Sequence, residues 1–120
     1  MCVKVVLAED AEPMRKAIRA LLSEHEDITL VGEAATFSEA VQMAEELSPD
    51  VIVLDLHMAD GAKQHLPDGT KLLAISFAND DEAAALACRI GAANLLDKME
   101  LANELIPAIL ELAPARSRFS

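Results

Sequence analysis

The chain has few aromatic residues and few cations. Its 120 residues include no tryptophan, no tyrosine and three phenylalanines, and its 10 lysines and arginines are outnumbered by 21 aspartates and glutamates. A formal net charge of −11 leaves no basic surface for phosphates, and so few rings leave no platform on which bases could stack. We therefore expect no direct binding of nucleic acid by this chain.

Cysteines and long apolar runs are also scarce. The two cysteines, Cys2 and Cys88, follow no metal-ligand or C-x-x-C spacing, so no disulfide framework is expected. No apolar run approaches the ~20 residues that span a bilayer, and the start "MCVKVVLAED" is too short in apolar residues for a secretory signal. The sequence thus predicts a cytoplasmic protein that makes no membrane contact.

The length and the apolar content indicate one folded unit. A chain of 120 residues has the size of a single domain, and 52% hydrophobic residues can form a real core. The tail "APARSRFS" carries two arginines and no apolar period. We predict one domain over residues 1–114 and a tail or linker start over 115–120.

Short apolar segments of strand length alternate with segments of helical period. The predicted strands are 3–8, 28–34, 51–56, 71–76 and 92–97, and apolar residues recur at helical spacing within 14–22, 37–47, 86–90 and 101–112. Alternating strands and helices form a parallel sheet with helices on both faces. The prediction is a doubly wound, flavodoxin-like α/β fold with five strands in the order 2-1-3-4-5.

Local signals support these boundaries. Thr36 with Glu39, and Asn79 with Glu82, have the spacing of a helix N-cap followed by a reaching acid. The third crossover is short, because only residues 57–70 separate two predicted strands. We expect a shortened third helix there, of about one or two turns around "GAKQHL", residues 61–66.

Polar side chains stand where the predicted strands end. The apolar run "DVIVLDL" places a carboxylate directly before a leucine, and such a charge is costly to bury unless something uses it. In a sheet of this order, ligands bind outside the carboxyl ends of strands 1 and 3. The residues expected at that edge are Glu9 and Asp10 after strand 1, Asp55 after strand 3, Ser76 after strand 4 and Lys98 after strand 5.

Three carboxylates in one crevice predict a bound cation. They repel one another, so either their pKa values rise or a positive ion neutralises them. Oxygen ligands with few protein donors favour Mg²⁺ over Ca²⁺. Asp55 beside such an ion could attack phosphorus as a nucleophile, with Ser76 and Lys98 available to a phosphoryl group.

The ordered set of motifs resembles one protein family. "VKVVLAED", "PDVIVLDLHM", "LLAIS" and "NLLDK" resemble the receiver domain of two-component response regulators. The segment "VGEAATFSEAVQMAEELSPDVIVLDL" resembles the subgroup that usually carries a helix-turn-helix output domain. The resemblance implies a signalling phosphoacceptor that catalyses only its own phosphoryl transfer and hydrolysis, not an enzyme with an external product. Its implied partner is a histidine kinase or a histidine phosphotransfer protein, and a second copy of the chain is a further candidate.

The resemblance also implies a role for each residue at the edge. Asp55 matches the phosphoacceptor, and Lys98 and Ser76 match the family's lysine and hydroxyl residue. Glu9, Asp10 and Asp55 would bind Mg²⁺, and His57 matches the position whose backbone carbonyl binds the metal in the family. The metal ligands that the resemblance implies are thus Glu9, Asp10, Asp55 and His57.

Some positions depart from the family pattern and support an alternative. Leu95 stands where many receivers have an aromatic ring that moves on activation, and Phe77 is bulkier than the small residue common after the hydroxyl. Phe77 is therefore expected to narrow the entrance for a phosphodonor. Together with the short crossover, Leu95 favours a phosphorylation-independent docking or dimerisation module as the alternative. A phosphatase of the haloacid dehalogenase type would need an aspartate where His57 stands.

Overall fold

The computed structural model describes residues 2–59 and 64–113, and its five strands form one parallel sheet. The strand order is β2-β1-β3-β4-β5, as predicted. The strands are β1 Val3–Ala8, β2 Ile28–Ala34, β3 Val51–Asp55, β4 Lys71–Ser76 and β5 Asn94–Asp97. The winding therefore reverses between β1 and β3, whose carboxyl ends meet at one edge.

In the described residues, four α-helices cover the two faces of the sheet in pairs. Their bounds are α1 Glu12–Ser23, α2 Phe37–Leu47, α3 Asp81–Arg89 and α4 Leu101–Leu112. The buried side chains of α1 and α4 form one cluster with alternate strand residues, and those of α2 and α3 form the other. Consecutive residues of a strand point to opposite faces, so the near-continuous apolar strands supply both clusters.

Helices α2 and α3 begin at N-cap residues, and the N-cap of α3 lies one residue after its predicted place. Thr36 accepts a hydrogen bond from the backbone N–H of Glu39, as predicted. For α3, however, the cap is Asp80, which accepts from the N–H of Ala83, so the prediction of Asn79 was wrong. Both residue types cap helices well, so the sequence alone does not decide between the two neighbours.

The third crossover contains a single turn of 3₁₀-helix, Leu56–Met58, directly after β3. The short helix predicted around residues 61–66 lies partly outside the described residues, and residues 64–66 are not helical. A second 3₁₀ turn, Lys98–Glu100, leads from β5 into α4. The described helices have at most 12 residues, and none of them is long and apolar enough to cross a membrane.

A cluster of ion pairs fastens α1 to the carboxyl edge of the sheet. Arg19 binds both carboxylate oxygens of Glu33 at the end of β2, at 2.9 and 2.8 Å. Arg15 lies 3.4 Å from the same carboxylate and donates to the backbone carbonyl of Glu9 at 3.0 Å. The cluster thus fixes the backbone that carries one of the predicted site residues.

We expect Glu33→Gln to lower the free energy of unfolding by about 1 kcal/mol at neutral pH, because a two-point pair of partly exposed charges is lost. The hydrogen bond from Arg19 lowers the pKa of Glu33, so this stabilisation is present above the usual carboxyl pKa and is lost as the pH falls through the lowered value. Urea unfolding across that range tests it. Glu45→Gln, on an exposed residue of α2, is the control and should change little.

Candidate functional site

Three carboxylates meet at the carboxyl edge of the sheet. One ligand oxygen from each of Glu9, Asp10 and Asp55 lies within 4.8 Å of the others. Glu9 and Asp10 follow β1 and Asp55 ends the neighbouring strand β3, so the strand order itself places them together. Glu9 is fully buried and Asp10 is exposed, which makes the cluster a crevice open on one side.

Lys98 inserts its ammonium between two of these carboxylates. Its Nζ lies 2.9 Å from Glu9 Oε1 and 3.2 Å from Asp55 Oδ2. The lysine follows β5, two strands from β3, and its long side chain crosses the end of β4 to arrive there. Only 6% of the side chain is exposed, so this ion pair is shielded from water and screened little by salt.

Burial and neighbouring charges both act on the pKa of Glu9. Burial raises the pKa of the Glu9 carboxyl above its usual value, the hydrogen bond from Lys98 opposes that rise, and the nearby Asp55 carboxylate adds to it. Three carboxylates share a single ammonium among the residues described here. The cluster therefore has negative charge to spare and oxygen donors on one open side, a donor set that fits a small divalent cation.

The two oxygens of Asp55 have different partners. Oδ2 faces Lys98, and Oδ1 accepts a hydrogen bond of 3.1 Å from the backbone N–H of His57. The turn Leu56–Met58 begins at this hydrogen bond, which fixes the plane of the carboxylate. The side chain of His57 is exposed, and in the described ranges the clustered ligand atoms come from the three carboxylates alone.

Ser76 lies at the same edge with its hydroxyl bonded locally. It ends β4, between the strands that carry Asp55 and Lys98, and its Oγ accepts a hydrogen bond of 3.0 Å from the backbone N–H of Ala78. A serine hydroxyl that accepts one bond keeps its proton for another acceptor. Ser76 also lines a cavity of about 500 Å³ between the turn after β3 and helix α3.

Phe77 makes a contact that the sequence did not reveal. The Nζ of Lys98 lies 5.1 Å from the centroid of the Phe77 ring, within the range of a cation–π interaction. The residue itself is 59% exposed, beside the open side of the site. From sequence, only its bulk was noticeable, because nothing in the spacing of residues 77 and 98 indicates contact between them.

Sequence comparison identifies relatives along nearly the whole chain. Residues 5–110 match the family described as "Response regulator receiver domain". The transcriptional regulatory protein LiaR of Bacillus subtilis is 36% identical over 115 residues, which cover 89% of this chain and 54% of LiaR. The response regulator protein VraR of Staphylococcus aureus is 33% identical and aligns with 99% of this chain and 60% of its own length.

Solved structures share the fold. The non-phosphorylated receiver domain of the stress response regulator RcsB from Escherichia coli superposes with a TM-score of 0.80 at 20% identity, over 93% of each chain. The receiver domain of the regulator NarL from Mycobacterium tuberculosis gives 0.78 at 23% identity, over 99% of this chain and 98% of that one. At such identities the likeness concerns the fold alone.

The profile match and the sheet order lead to the same conclusion. The chain spans little more than half the length of LiaR and three fifths of VraR. In this chain, the range that matches the family, residues 5–110, includes both acids after β1, the aspartate that ends β3 and the lysine after β5. This chain belongs to the response regulator receiver domain family.

Proposed function

We propose that the chain is a phosphoacceptor whose Asp55 takes a phosphoryl group from a histidine kinase or a histidine phosphotransfer protein. The observation that carries the proposal is the position of the Asp55 carboxylate, held by Lys98 on one oxygen and by a backbone N–H on the other. A carboxylate in two fixed contacts is oriented before a donor arrives, which favours a reaction between positioned groups.

The transfer is an exchange of one bond to phosphorus for another. An oxygen of Asp55 donates its electron pair to phosphorus, the P–N bond of the donor phosphohistidine breaks, and the electron pair of that bond returns to the imidazole nitrogen. Negative charge accumulates beside Asp55 as the anionic group approaches. The ammonium of Lys98, 3.2 Å from Oδ2, offsets that charge from within a buried site where it is effective.

Glu9, Asp10 and Asp55 would hold Mg²⁺, with the backbone carbonyl of His57 as a further ligand by analogy with the family. When bound, the ion would neutralise charge on the phosphoryl oxygens. The proposal is supported by the number of carboxylates, three beside one ammonium in the described residues, and by the nearby Asp55 carboxylate, which adds to the rise that burial causes in the pKa of Glu9. Ser76 would then donate its free hydroxyl proton to a phosphoryl oxygen.

The proposal includes partners and place. A histidine kinase presents its phosphohistidine in the cytoplasm, so we assign the chain to that compartment. A second copy of the chain is a further candidate partner. The chain matches part of LiaR, a transcriptional regulatory protein. We therefore also propose that the chain acts in the regulation of transcription as part of a larger assembly.

Labelling with a small phosphodonor tests the metal part of the proposal. With acetyl phosphate and Mg²⁺, intact-mass spectrometry should show one added phosphoryl group on the wild type, and a chelator should abolish it. Asp10→Asn should slow labelling about 10- to 100-fold at limiting Mg²⁺, because a ligand carboxylate is lost. Asp81→Asn, an exposed acid in the first turn of α3, is the matched control and should be labelled like the wild type.

The opposite result would favour the alternative function. Wild-type protein that stays unlabelled with several small donors and a panel of histidine kinases would support the docking or dimerisation module. Labelling at the same rate with and without Mg²⁺ would overturn the metal assignment, but it would not contradict the assignment of Asp55 as the nucleophile.

A further inference from the structure

We infer that Phe77 is a positioning residue, which holds the ammonium of Lys98 at the site by presenting the face of its ring. The inference rests on the proposed function, in which Lys98 offsets the charge of the arriving phosphoryl group. Its basis is the 5.1 Å distance between Lys98 Nζ and the ring centroid, together with the two short contacts of the same nitrogen to carboxylates.

The ammonium has three N–H donors, and three groups among the described residues lie around it. Glu9 Oε1 lies at 2.9 Å, Asp55 Oδ2 lies at 3.2 Å, and the Phe77 ring lies on a further side. The negative face of an aromatic ring attracts a cation, more strongly when water is excluded from it. Because 6% of the Lys98 side chain is exposed, the ring acts on a nearly dehydrated charge.

The ring differs from the other two partners in one respect. Glu9 and Asp55 belong to the carboxylate cluster that would bind a divalent cation, so the cation would compete with Lys98 for their oxygen atoms. The Phe77 ring has no ligand atom for Mg²⁺ and keeps its attraction for the lysine whatever the carboxylates bind. Lys98 has a flexible four-carbon stem, and this third contact limits the positions that it can adopt.

A purely steric role of Phe77 gives different expectations. If the ring only narrowed the entrance, replacing Phe77 by any smaller residue would speed labelling of Asp55. The electron distribution of the ring would then have no effect on the rate. A ring that holds Lys98 must lose effect when its face becomes less negative, even if its size is kept. Fluorine substitution of the ring separates the two roles, since it weakens the negative face and changes the volume little.

The experiment places mono-, di- and trifluorinated phenylalanine at position 77 of the full chain. Without donor or Mg²⁺, heteronuclear NMR of the lysine ammonium groups should show proton exchange at Lys98 that quickens with each fluorine. With acetyl phosphate and Mg²⁺, the labelling rate of Asp55 should fall in the same order, about two- to fivefold at the end of the series.

Two controls isolate the contact. The same series at Phe37, a buried ring on α2, should leave both readings unchanged. On a Lys98→Ala background the series at position 77 should have no effect on labelling, because the partner of the ring is gone.

Constant ammonium exchange and constant labelling along the series would overturn the inference. Faster labelling of Phe77→Leu together with a flat fluorine series would do the same and leave the ring as an obstruction only. If the wild type itself is not labelled, the proposed function fails, while the exchange of the Lys98 ammonium still decides whether the ring holds it.

Discussion

Asp55→Asn is expected to remove all phosphoryl labelling of the chain by acetyl phosphate and Mg²⁺. The amide is close to the carboxylate in size, but its oxygen is a poor nucleophile toward phosphorus. The contacts of Asp55 make this loss specific, because one of its oxygens faces a buried ammonium beside two further carboxylates. Intact-mass spectrometry of both proteins, under the same conditions, measures the effect.

Asp97→Asn is the matched control for this prediction. Asp97 ends β5 as Asp55 ends β3, yet its carboxylate is not part of the cluster of ligand atoms found in the described chain. It should be labelled like the wild type. A second reading checks that the site of Asp55→Asn is still assembled: in chelator, the pKa of Glu9 should fall, because Asp55 is one of the groups that raise it. Labelling of Asp55→Asn at the wild-type rate would disprove the assignment of the nucleophile.

Lys98→Ala is expected to have the second-largest effect, on both chemistry and stability. Labelling should slow by about 10²- to 10³-fold, since the fixed positive charge next to the reacting oxygen is removed. The free energy of unfolding should fall by about 3 kcal/mol at neutral pH, because the buried carboxylates of Glu9 and Asp55 lose their shared partner. Lys71→Ala, an exposed lysine at the start of β4, is the control for both measurements.

A double variant separates the two effects of Lys98. In Glu9→Gln with Lys98→Ala, the fully buried carboxylate is neutral, so stability should recover toward that of the wild type. Labelling should stay slow, because no ammonium faces Asp55. Recovery of labelling along with stability would show that Lys98 acts only by supporting the fold.

The strands could be predicted closely because each is a short apolar run bounded by polar residues. Predicted and observed bounds coincide for β1, β2 and β4. Two strand ends differ from the prediction, and at both the apolar sequence continues beyond the observed strand. Strand β3 ends at Asp55 rather than at Leu56, and β5 begins at Asn94 rather than at residue 92. After β3 the chain forms a 3₁₀ turn, and before β5 it is still the loop from α3. The local sequence does not indicate at which residue the strand ends or begins.

The site was predictable to the extent that it follows from strand order. Once β1 and β3 are neighbours, the acids that follow them must meet, and the structure brings Glu9, Asp10 and Asp55 together. Lys98 arrives with them, 2.9 Å from Glu9. The rest depends on how individual side chains turn: the hydroxyl of Ser76 toward Ala78, and the ring of Phe77 toward Lys98. Side-chain rotations of this kind leave no periodic signal in a sequence.

The hydrogen bond from the His57 N–H to Asp55 gives the proposed phosphoacceptor a second role, as the cap of a backbone turn. Substituting alanine at position 55 would remove the nucleophile and also release the turn that leads away from β3. An altered output from such a variant would then report two lesions at once. The amide of asparagine keeps an oxygen for the His57 N–H, so of the two substitutions only asparagine silences the chemistry while leaving the turn capped. The proposed phosphorylation of Asp55 would modify the oxygen of this cap or the other oxygen of the same carboxylate, so the amide NMR resonance of His57 would report the reaction locally.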